Sequence, residues 1–193
     1  MSKRILLIQG HPDSRTSHLC HALAASYKGG AQSGGHAVRL CHVAALDFPL
    51  LRSHIDFKTG SLPRSLQTAQ GDIWWCEHMV FFFPLWAGDM PALLKGFLEQ
   101  VFRPSFTGSN RNPFAKKPLS GRSAQVVVTM AMPALVYRLL FRAHSLKSLR
   151  RNILGMAGIG PVRETLIGSA GGMQAQKAAQ WFFKLRRLSE DGK

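Results

Sequence analysis

The sequence predicts an α/β fold in which helices cover both faces of a sheet of parallel strands. Short apolar segments of strand length alternate five times with longer segments that have helical periodicity. The third apolar segment, residues 79–83, is continuous, as is typical of a strand buried on both faces. A chain of 193 residues suits one large core, so we expect a single domain over 1–193.

Each predicted strand leads into a predicted helix. The first helix follows a polar loop, has Leu19, Leu23 and Tyr27 at helical spacing and ends at the glycines of 29–35. We predict strands over 5–9, 37–41, 79–83, 123–129 and 162–167, and further helices over 63–77, 91–102, 133–151 and 173–188.

Five such units fit the strand order 2-1-3-4-5 of a flavodoxin-like three-layer sandwich. In this order the carboxyl ends of the first, third and fourth strands meet at the topological switch point, where open α/β sheets bind ligands. The loops 10–19, 84–89 and 129–137 are therefore predicted to lie together and to form the functional site.

Residues 80–102 contain the central strand, the second of these loops and an amphipathic helix. Pro84 is predicted to end the strand because proline has no N–H for the hydrogen-bond ladder. Asp89 is predicted to cap the helix, with Pro91 in its first turn. Trp86 stands beside two small residues and is predicted to belong to a binding site. A tight turn with this tryptophan packed inward is the alternative.

The first loop, residues 10–19, has the chemistry of an anion site. Hydroxyls at Ser14, Thr16 and Ser17, the guanidinium of Arg15 and the free amides of a helix N-terminus together suit a phosphate. The loop lacks both the G-x-G-x-x-G pattern of dinucleotide folds and the G-K-[ST] ending of a P-loop. The alternative is that Thr16 or Ser17 only caps the helix.

Charge is the least ordinary property of the chain. Its 25 lysines and arginines against 10 aspartates and glutamates give a net charge of +15, which indicates an anionic partner. The basic residues form no nucleic-acid motif and are not interleaved with aromatics, so we expect no nucleic acid as partner. Residues 135–151 have the pattern of a basic amphipathic helix, which favours peripheral contact with a membrane as an alternative.

Cysteine and histidine spacing gives no sign of a metal site. Cys20, Cys41 and Cys76 are odd in number, are far apart in sequence and are predicted to be small buried hydrophobes. His18 and His21 have helical spacing but no third ligand nearby, so we predict no metal. The apolar runs are too short for a membrane span or a signal peptide, and we expect a soluble, cytoplasmic protein.

Three segments resemble one family, the flavodoxin-like NAD(P)H:quinone oxidoreductases with their relatives, the modulators of drug activity and the potassium-efflux ancillary reductases. The segments are Gly10-His11 with Arg15-Thr16-Ser17, Phe83-Pro84-Leu85-Trp86 with Met90-Pro91-Ala92, Leu94-Lys95-Gly96 and Val101-Phe102, and Thr129 followed by Tyr137. The chain departs from the family pattern at three places. Further aromatics are common where this chain has Ala87 and Gly88, and a glycine pair is common where it has Met130-Ala131-Met132. An asparagine is common at the position of Leu19.

The resemblance implies a flavin, FAD or FMN, that takes a hydride from NAD(P)H and then passes two electrons to a quinone or similar acceptor in a ping-pong mechanism. Backbone amides of the second and third loops would hydrogen-bond the flavin ring, and side chains of the first loop would hold its phosphate. The cofactor-binding residues so implied are His11, Arg15, Ser17, His18 and Leu19, then Pro84, Leu85, Trp86, Ala87 and Gly88, then Thr129, Met130, Ala131, Met132 and Tyr137.

Tyr137 and His144 are the catalytic residues that the resemblance implies, and they would stabilise or protonate the developing hydroquinonate. The alternatives are that Tyr137 packs in the core with a satisfied hydroxyl and that His144 faces solvent. The family is usually homodimeric, and the aperiodic segments 47–62 and 103–121 are candidate contacts. A flavin-binding regulatory protein that docks on a membrane or a membrane protein is the competing hypothesis.

Overall fold

The computed structural model describes residues 2–107 and 117–193, and its centre is a five-stranded sheet in which all neighbouring strands are parallel. The strand order is β2-β1-β3-β4-β5, which confirms the predicted order. The strands are β1 (Arg4–Gln9), β2 (Ala37–His42), β3 (His78–Pro84), β4 (Ser123–Thr129) and β5 (Val162–Ile167). Their ends differ from the predicted ends by at most one residue.

Helices cover both faces of this sheet: α1 and α9 pack together on one face, and α3 and α4 on the other. The helices are α1 (Leu19–Ser33), α2 (His54–Thr59), α3 (Arg64–Trp75), α4 (Ala92–Val101), α5 (Pro104–Thr107), α6 (Ala134–Leu139), α7 (His144–Ser148), α8 (Gly155–Ala157) and α9 (Ala175–Glu190), with a 3₁₀ turn at Val43–Ala45 and a π-helix at Leu149–Leu154. Within the described residues, no helix combines the length and the apolar character that crossing a bilayer requires.

The two faces follow from the alternation of side chains along buried strands. In β1, Leu6 and Ile8 belong to the core under α3 and α4, whereas Ile5 and Leu7 belong to the core under α1 and α9. β3, in which all seven residues are buried, divides its side chains in the same way. A strand that is apolar on both faces needs a helical layer on each, and the result is the predicted three-layer sandwich.

The segment predicted as one basic helix over 133–151 is broken, so that prediction is wrong. α6 ends at Leu139, and Arg142 and Ala143 then adopt positive φ angles of 52° and 46°. Residues in this left-handed conformation cannot continue a right-handed helix, so α7 and the π-helix start anew. These two later helices bury leucines, whereas α6 exposes its own, and the leucines of 133–151 therefore do not share one face.

Two predicted irregular segments contain helices. Residues 47–62 include α2, which is capped by the Ser53 hydroxyl as acceptor of the Asp56 N–H at 3.0 Å. The basic loop predicted over 103–121 begins with α5, and its residues 108–116 lie outside the described part of the chain.

α1 and α4 begin after residues other than the caps considered from the sequence. α1 follows His18, not Thr16 or Ser17, and the His18 N–H donates to the side chain of a histidine one turn on. α4 follows Pro91, so Asp89 is not its cap. The backbone of Asp89 instead closes a tight turn within the second loop, which places this residue too early to cap the helix.

The three cysteines are buried, as predicted. Cys20 lies in the core under α1 and α9, and Cys41 and Cys76 lie in the core under α3 and α4. Burial raises the pKa of each thiol to about 12. These thiols are therefore protonated and unreactive near neutral pH, as expected of small apolar core residues.

His78, at the start of β3, makes stability depend on pH. Its side chain is 2% exposed, its Nδ1 lies 2.8 Å from the Ser123 hydroxyl, and its Nε2 has no partner among the described residues. Burial, together with the charges of Lys3 and Arg163, lowers the pKa of His78 to about 4. In the unfolded chain the pKa is about 6.5, so the unfolded state takes up the proton first as pH falls.

We therefore expect the free energy of unfolding to fall by about 2 kcal/mol from about pH 7 to about pH 5 because of His78 alone. The decrease should grow further below about pH 5. Urea unfolding at both pH values measures it. In His78→Gln this part of the loss should vanish, and an equal loss in the variant and the parent chain would contradict the assignment.

Candidate functional site

The three loops predicted to form the site lie side by side at the carboxyl edge of the sheet. Gly10 N–H donates to a carbonyl of β3 at 2.7 Å, and Leu85 N–H donates to the Thr129 carbonyl at 2.8 Å. The rings of His11 and Trp86 meet edge to face, with centroids 5.9 Å apart. The first loop is thus joined to the second, and the second to the third, as the strand order requires.

In the first loop, a carboxylate lies among the groups predicted to hold a phosphate. Asp13 accepts hydrogen bonds from the Arg15 N–H at 2.8 Å and from the Thr16 hydroxyl at 2.7 Å, and it lies 3.0 Å from His18 Nε2. The hydrogen bonds from His18 and Thr16 hold the pKa of Asp13 well below its usual range. Sequence reasoning missed Asp13, although an aspartate with donors two and three residues later is the pattern of an Asx turn.

The other residues predicted in this loop differ in exposure. The Arg15 side chain is 93% exposed, with its Nε 3.7 Å from Asp13, and Ser17 is also exposed. Leu19 is partly buried and packs against the core under α1 and α9. Arg15 and Ser17 are accessible to a ligand, whereas Leu19 mainly anchors the start of α1.

Three imidazole rings cluster beside Asp13, and two of them are stacked. The centroids of His11 and His18 are 4.0 Å apart, and His21 lies 5.0 Å from His11. Burial lowers the pKa of His11 and of His21, and the neighbouring His18 lowers both further. His11 and His21 are consequently neutral near pH 7. Sequence reasoning placed His11 and His18 in the site but considered His21 only as a metal ligand.

The second loop is a tight turn centred on Ala87 and Gly88, with φ angles of 48° and 81°. Trp86 N–H donates to the Asp89 carbonyl at 2.8 Å, and Asp89 N–H donates back at 2.9 Å. The prediction that all backbone N–H groups from Leu85 to Gly88 are available to a flavin ring is therefore wrong. The N–H groups of Leu85 and Trp86 already donate to backbone carbonyls of the protein. Ala87 and Gly88 keep free N–H groups among the described residues, and Trp86 is half exposed.

The third loop is held by the end of β5. Met130 N–H donates to the Ile167 carbonyl at 2.9 Å, so the predicted amide of Met130 is engaged, and the Met130 side chain is buried. Residues 168–170 return two hydrogen bonds, to the carbonyls of Met130 and Met132. Ala131 and Met132 have no partner for their N–H groups in the described part of the chain.

Gly168 allows this close approach. A Cβ at this position would lie 2.3 Å from the Ala134 nitrogen and 2.9 Å from the Met132 oxygen. Both are backbone atoms that cannot move aside cheaply. Gly168 is not among the predicted site residues, although a glycine directly after a strand indicates close packing of backbone.

Tyr137 and His144, the two predicted catalytic residues, lie in different environments. The Tyr137 side chain is fully buried, and burial raises the pKa of its hydroxyl. That hydroxyl has no hydrogen-bond partner of good geometry among the described residues, and neither has the buried hydroxyl of Ser145. His144 is exposed, with its Cε1 3.9 Å from the position that a Cβ of Gly88 would take, so it adjoins the second loop.

Comparison with known proteins adds three findings. An uncharacterized NAD(P)H oxidoreductase of Haemophilus influenzae is 26% identical over 128 residues, which cover 65% of this chain and 63% of that protein. The structure of the NAD(P)H:quinone oxidoreductase from Methanothermobacter marburgensis matches with a TM-score of 0.82 at 20% identity, over 99% of this chain and 97% of that one. An FMN-dependent NADH-azoreductase from Bacillus anthracis, in complex with FMN, matches with a TM-score of 0.74 at 13% identity, over 98% of each chain.

The aligned stretch spans 63% of the Haemophilus influenzae protein, and a second match, 28% identical over 82 residues, spans 31% of the ribosyldihydronicotinamide dehydrogenase-like protein traD of Penicillium crustosum and 38% of this chain. Both spans are less than two thirds of the relative's length. At these identities, the structural matches establish the fold. A family model described as Flavodoxin-like fold, Flavodoxin_2, matches residues 3–185. This match covers nearly the whole chain and agrees with the observed sheet order, so the chain belongs to the Flavodoxin_2 family of flavodoxin-like proteins.

Proposed function

We propose that this chain is a flavin-dependent NAD(P)H oxidoreductase that reduces a quinone or similar acceptor by two electrons in a ping-pong cycle. The observation that supports it most is the meeting of three loops at one edge of the sheet, where the second and third loops leave backbone N–H groups without partners among the described residues. Those donors are the N–H groups of Ala87, Gly88, Ala131 and Met132. The names of similar proteins, a quinone oxidoreductase and an azoreductase, point the same way.

The groups present fit a flavin. The isoalloxazine ring carries oxygen and nitrogen acceptors that suit the free N–H groups of the second and third loops, and a flat face that the half-exposed Trp86 can cover. The Tyr137 hydroxyl is a buried donor without a well-aligned hydrogen-bond partner among the described residues. A bound flavin, FMN or FAD, would supply the hydride chemistry that side chains lack.

The residues of the chain would contribute position and charge. Backbone N–H groups fixed in the second and third loops would stabilise negative charge on a reduced ring without reorganising. Arg15, Ser17 and His18 would bind the phosphate, with His11 and His21 able to accept protons beside it. Tyr137 and His144 would hold or deliver the proton that the acceptor requires.

Reconstitution with flavin tests the proposal. Protein mixed with FMN or FAD and freed of unbound cofactor should be yellow, should bleach on anaerobic addition of NADH or NADPH, and should regain colour on addition of a quinone. Parallel double-reciprocal lines for donor and acceptor would support the ping-pong order, and intersecting lines would contradict it. Protein that retains neither flavin would overturn the assignment.

Replacing Asp13 by asparagine should tighten flavin binding. In the free protein, the Asp13 carboxylate uses the Arg15 N–H, the Thr16 hydroxyl and His18, which the phosphate would need. If the Asp13 carboxylate occupies these donors in about four fifths of the free protein, only about one fifth can bind the phosphate. The Asp13→Asn variant, in which the donors are free, should then bind FMN about fivefold more tightly. Fluorescence titration with FMN and with riboflavin, which lacks the phosphate, measures the effect. An equal gain for both ligands would show that Asp13 does not compete with the phosphate.

We also propose that the chain forms a homodimer. No residue of α2 is buried, and Leu50 and Ile55 in the predicted contact segment 47–62 are largely exposed. A cavity of about 670 Å³ adjoins this region and is lined mainly by α2, α4 and the π-helix. Large exposed apolar side chains beside an open cavity are typical of a subunit contact. Light scattering on the purified chain measures its mass, and a monomer at micromolar concentration would contradict the proposal.

A further inference from the structure

Residues 135–142, here called the apolar tip, expose large apolar side chains on one short stretch of chain. The tip contains most of α6 and the three residues after it. Tyr137 alone in the tip is fully buried. The exposed apolar residues, each at least 40% exposed, are Leu135, Val136, Leu139, Leu140 and Phe141.

The tip is held firmly in this position. Tyr137 anchors it in the core under α3 and α4, and the Ala143 N–H donates to the Tyr137 carbonyl at 3.2 Å. The left-handed residues Arg142 and Ala143 end the tip. A helix that faces water normally carries polar residues at its outward positions, whereas here those positions hold leucine, valine and phenylalanine. A contiguous exposed apolar patch of this kind marks an interaction surface.

The surroundings of the tip are positively charged. No aspartate or glutamate occurs from residue 100 to residue 163, a stretch that contains 11 lysines and arginines. Arg138 and Arg142 lie within the tip, and Lys147 and Arg151 follow it. All four are exposed, and none pairs with a carboxylate in the described parts of the chain.

A cleft of about 270 Å³ continues this surface onto α9. It is lined by Leu135 and Arg138 of the tip and by Trp181 and Lys184 of α9. Glu164 also lines the cleft, and its carboxylate lies 3.5 Å from Arg150. Tryptophan and lysine are the side chains that proteins place at the level of lipid headgroups.

We propose that the apolar tip docks on the surface of an anionic lipid bilayer, with its leucines and Phe141 among the acyl chains and its arginines at the headgroup phosphates. Apolar side chains ringed by unpaired cations are complementary to such a surface. A second copy is disfavoured as occupant, because a two-fold contact would set Arg138 and Arg142 against their own copies. A nucleic acid is also disfavoured as occupant, because it has no apolar region that could bury the four exposed aliphatic side chains of the tip.

The tip borders the candidate site. Ala134, directly before it, contacts Gly168, and His144, two residues after it, adjoins Gly88. Docking would therefore bring the edge that carries the site close to the bilayer. The docking itself does not depend on the proposed flavin chemistry, so lipid binding can be tested on protein with or without cofactor.

Sedimentation with vesicles tests the inference. The full chain should bind vesicles of phosphatidylcholine mixed with phosphatidylglycerol, and should bind far less to phosphatidylcholine alone or at high salt. Leu139→Ser combined with Leu140→Ser should lower the partition coefficient about a hundredfold, since both side chains leave the acyl region. Arg138→Gln should lower it about fivefold at low salt. Phe183→Ser on α9, an exposed apolar residue outside the tip, the cleft lining and the proposed dimer contact, serves as the matched control and should bind as the parent does.

Three results would overturn the proposal: no binding to anionic vesicles at low salt, an equal loss in Phe183→Ser, or binding that the leucine variant leaves unchanged. If the leucine variant instead dissociates a dimer in light scattering and still binds lipid, the tip contacts a second copy. The substituted side chains are exposed, so the variants should keep the parent unfolding midpoint.

Discussion

Replacing Tyr137 by phenylalanine should lower kcat about a hundredfold while flavin retention stays within about twofold of the parent chain. The Tyr137 hydroxyl is buried and has no partner among the described residues. Burial raises its pKa, and the adjoining Ser145 hydroxyl and Leu146 backbone oppose that rise. Neither makes a hydrogen bond of good geometry with it, so its removal should lower the free energy of unfolding by only about 0.5 kcal/mol. What the variant loses is the proton donor that we propose for the acceptor. Stopped-flow traces of quinone reduction, recorded separately from flavin bleaching by NADPH, measure this step.

Tyr27→Phe is the matched control. The Tyr27 hydroxyl donates to the Lys193 carbonyl at 2.6 Å, on the α1 side of the sheet. Removing it should lower the free energy of unfolding by about 1 kcal/mol and leave kcat unchanged. The two tyrosines thus have opposite expected signatures. If Tyr137→Phe reduces quinone at the parent rate, Tyr137 is only a core residue and does not donate a proton to the acceptor.

Replacing Gly168 by alanine should destabilise the chain by about 3 kcal/mol and weaken flavin retention at the same time. The added methyl group would lie 2.3 Å from the Ala134 nitrogen and 2.9 Å from the Met132 oxygen. Because both are backbone atoms, the third loop must shift away from β5. That shift would displace the free N–H groups of Ala131 and Met132, which we propose as contacts of the flavin ring.

Gly171→Ala, three residues on, controls for the loss of a glycine. A Cβ at Gly171 meets nothing within 4 Å, so unfolding free energy and flavin retention should stay near those of the parent. Urea unfolding and a fluorescence titration with FMN measure the two quantities for both variants. A Gly168→Ala chain as stable as Gly171→Ala would show that the packing of β5 against the third loop does not constrain the site.

The fold could be predicted because burial on both faces leaves a simple signal in each strand. β3 is a continuous apolar run, and its burial along all seven residues matches that pattern. Once five strands alternate with helices, the order of the strands places 10–19, 84–89 and 129–137 at one edge. The general location of the site thus follows from periodicity and topology.

The break in the segment 133–151 could not be predicted in the same way. Neither Arg142 nor Ala143 is a glycine, proline or asparagine, and helical propensity alone favours continuation through both. The left-handed conformation is set by tertiary packing, which buries Tyr137, Ala143 and Leu146 together. Local sequence carries no record of such a constraint.

Details of the site were missed for a related reason. Gly168 matters because Ala134, a residue distant in sequence, approaches its backbone. Asp13 matters because its carboxylate satisfies donors that sequence reasoning reserved for a ligand. In both cases the missing information is the three-dimensional position of a neighbour, which residue types and spacing do not contain.

If a flavin phosphate binds at the first loop as proposed, the clustered imidazoles of His11, His18 and His21 would couple its loading to the acidity of the medium. Two of them are uncharged near neutrality because burial and their neighbours disfavour the imidazolium form. An arriving phosphate dianion would reverse that preference, so the complex would take up protons from the buffer as it forms. Calorimetric heats of loading would then vary with the ionisation enthalpy of the buffer, and a mildly acidic medium would favour the loaded protein.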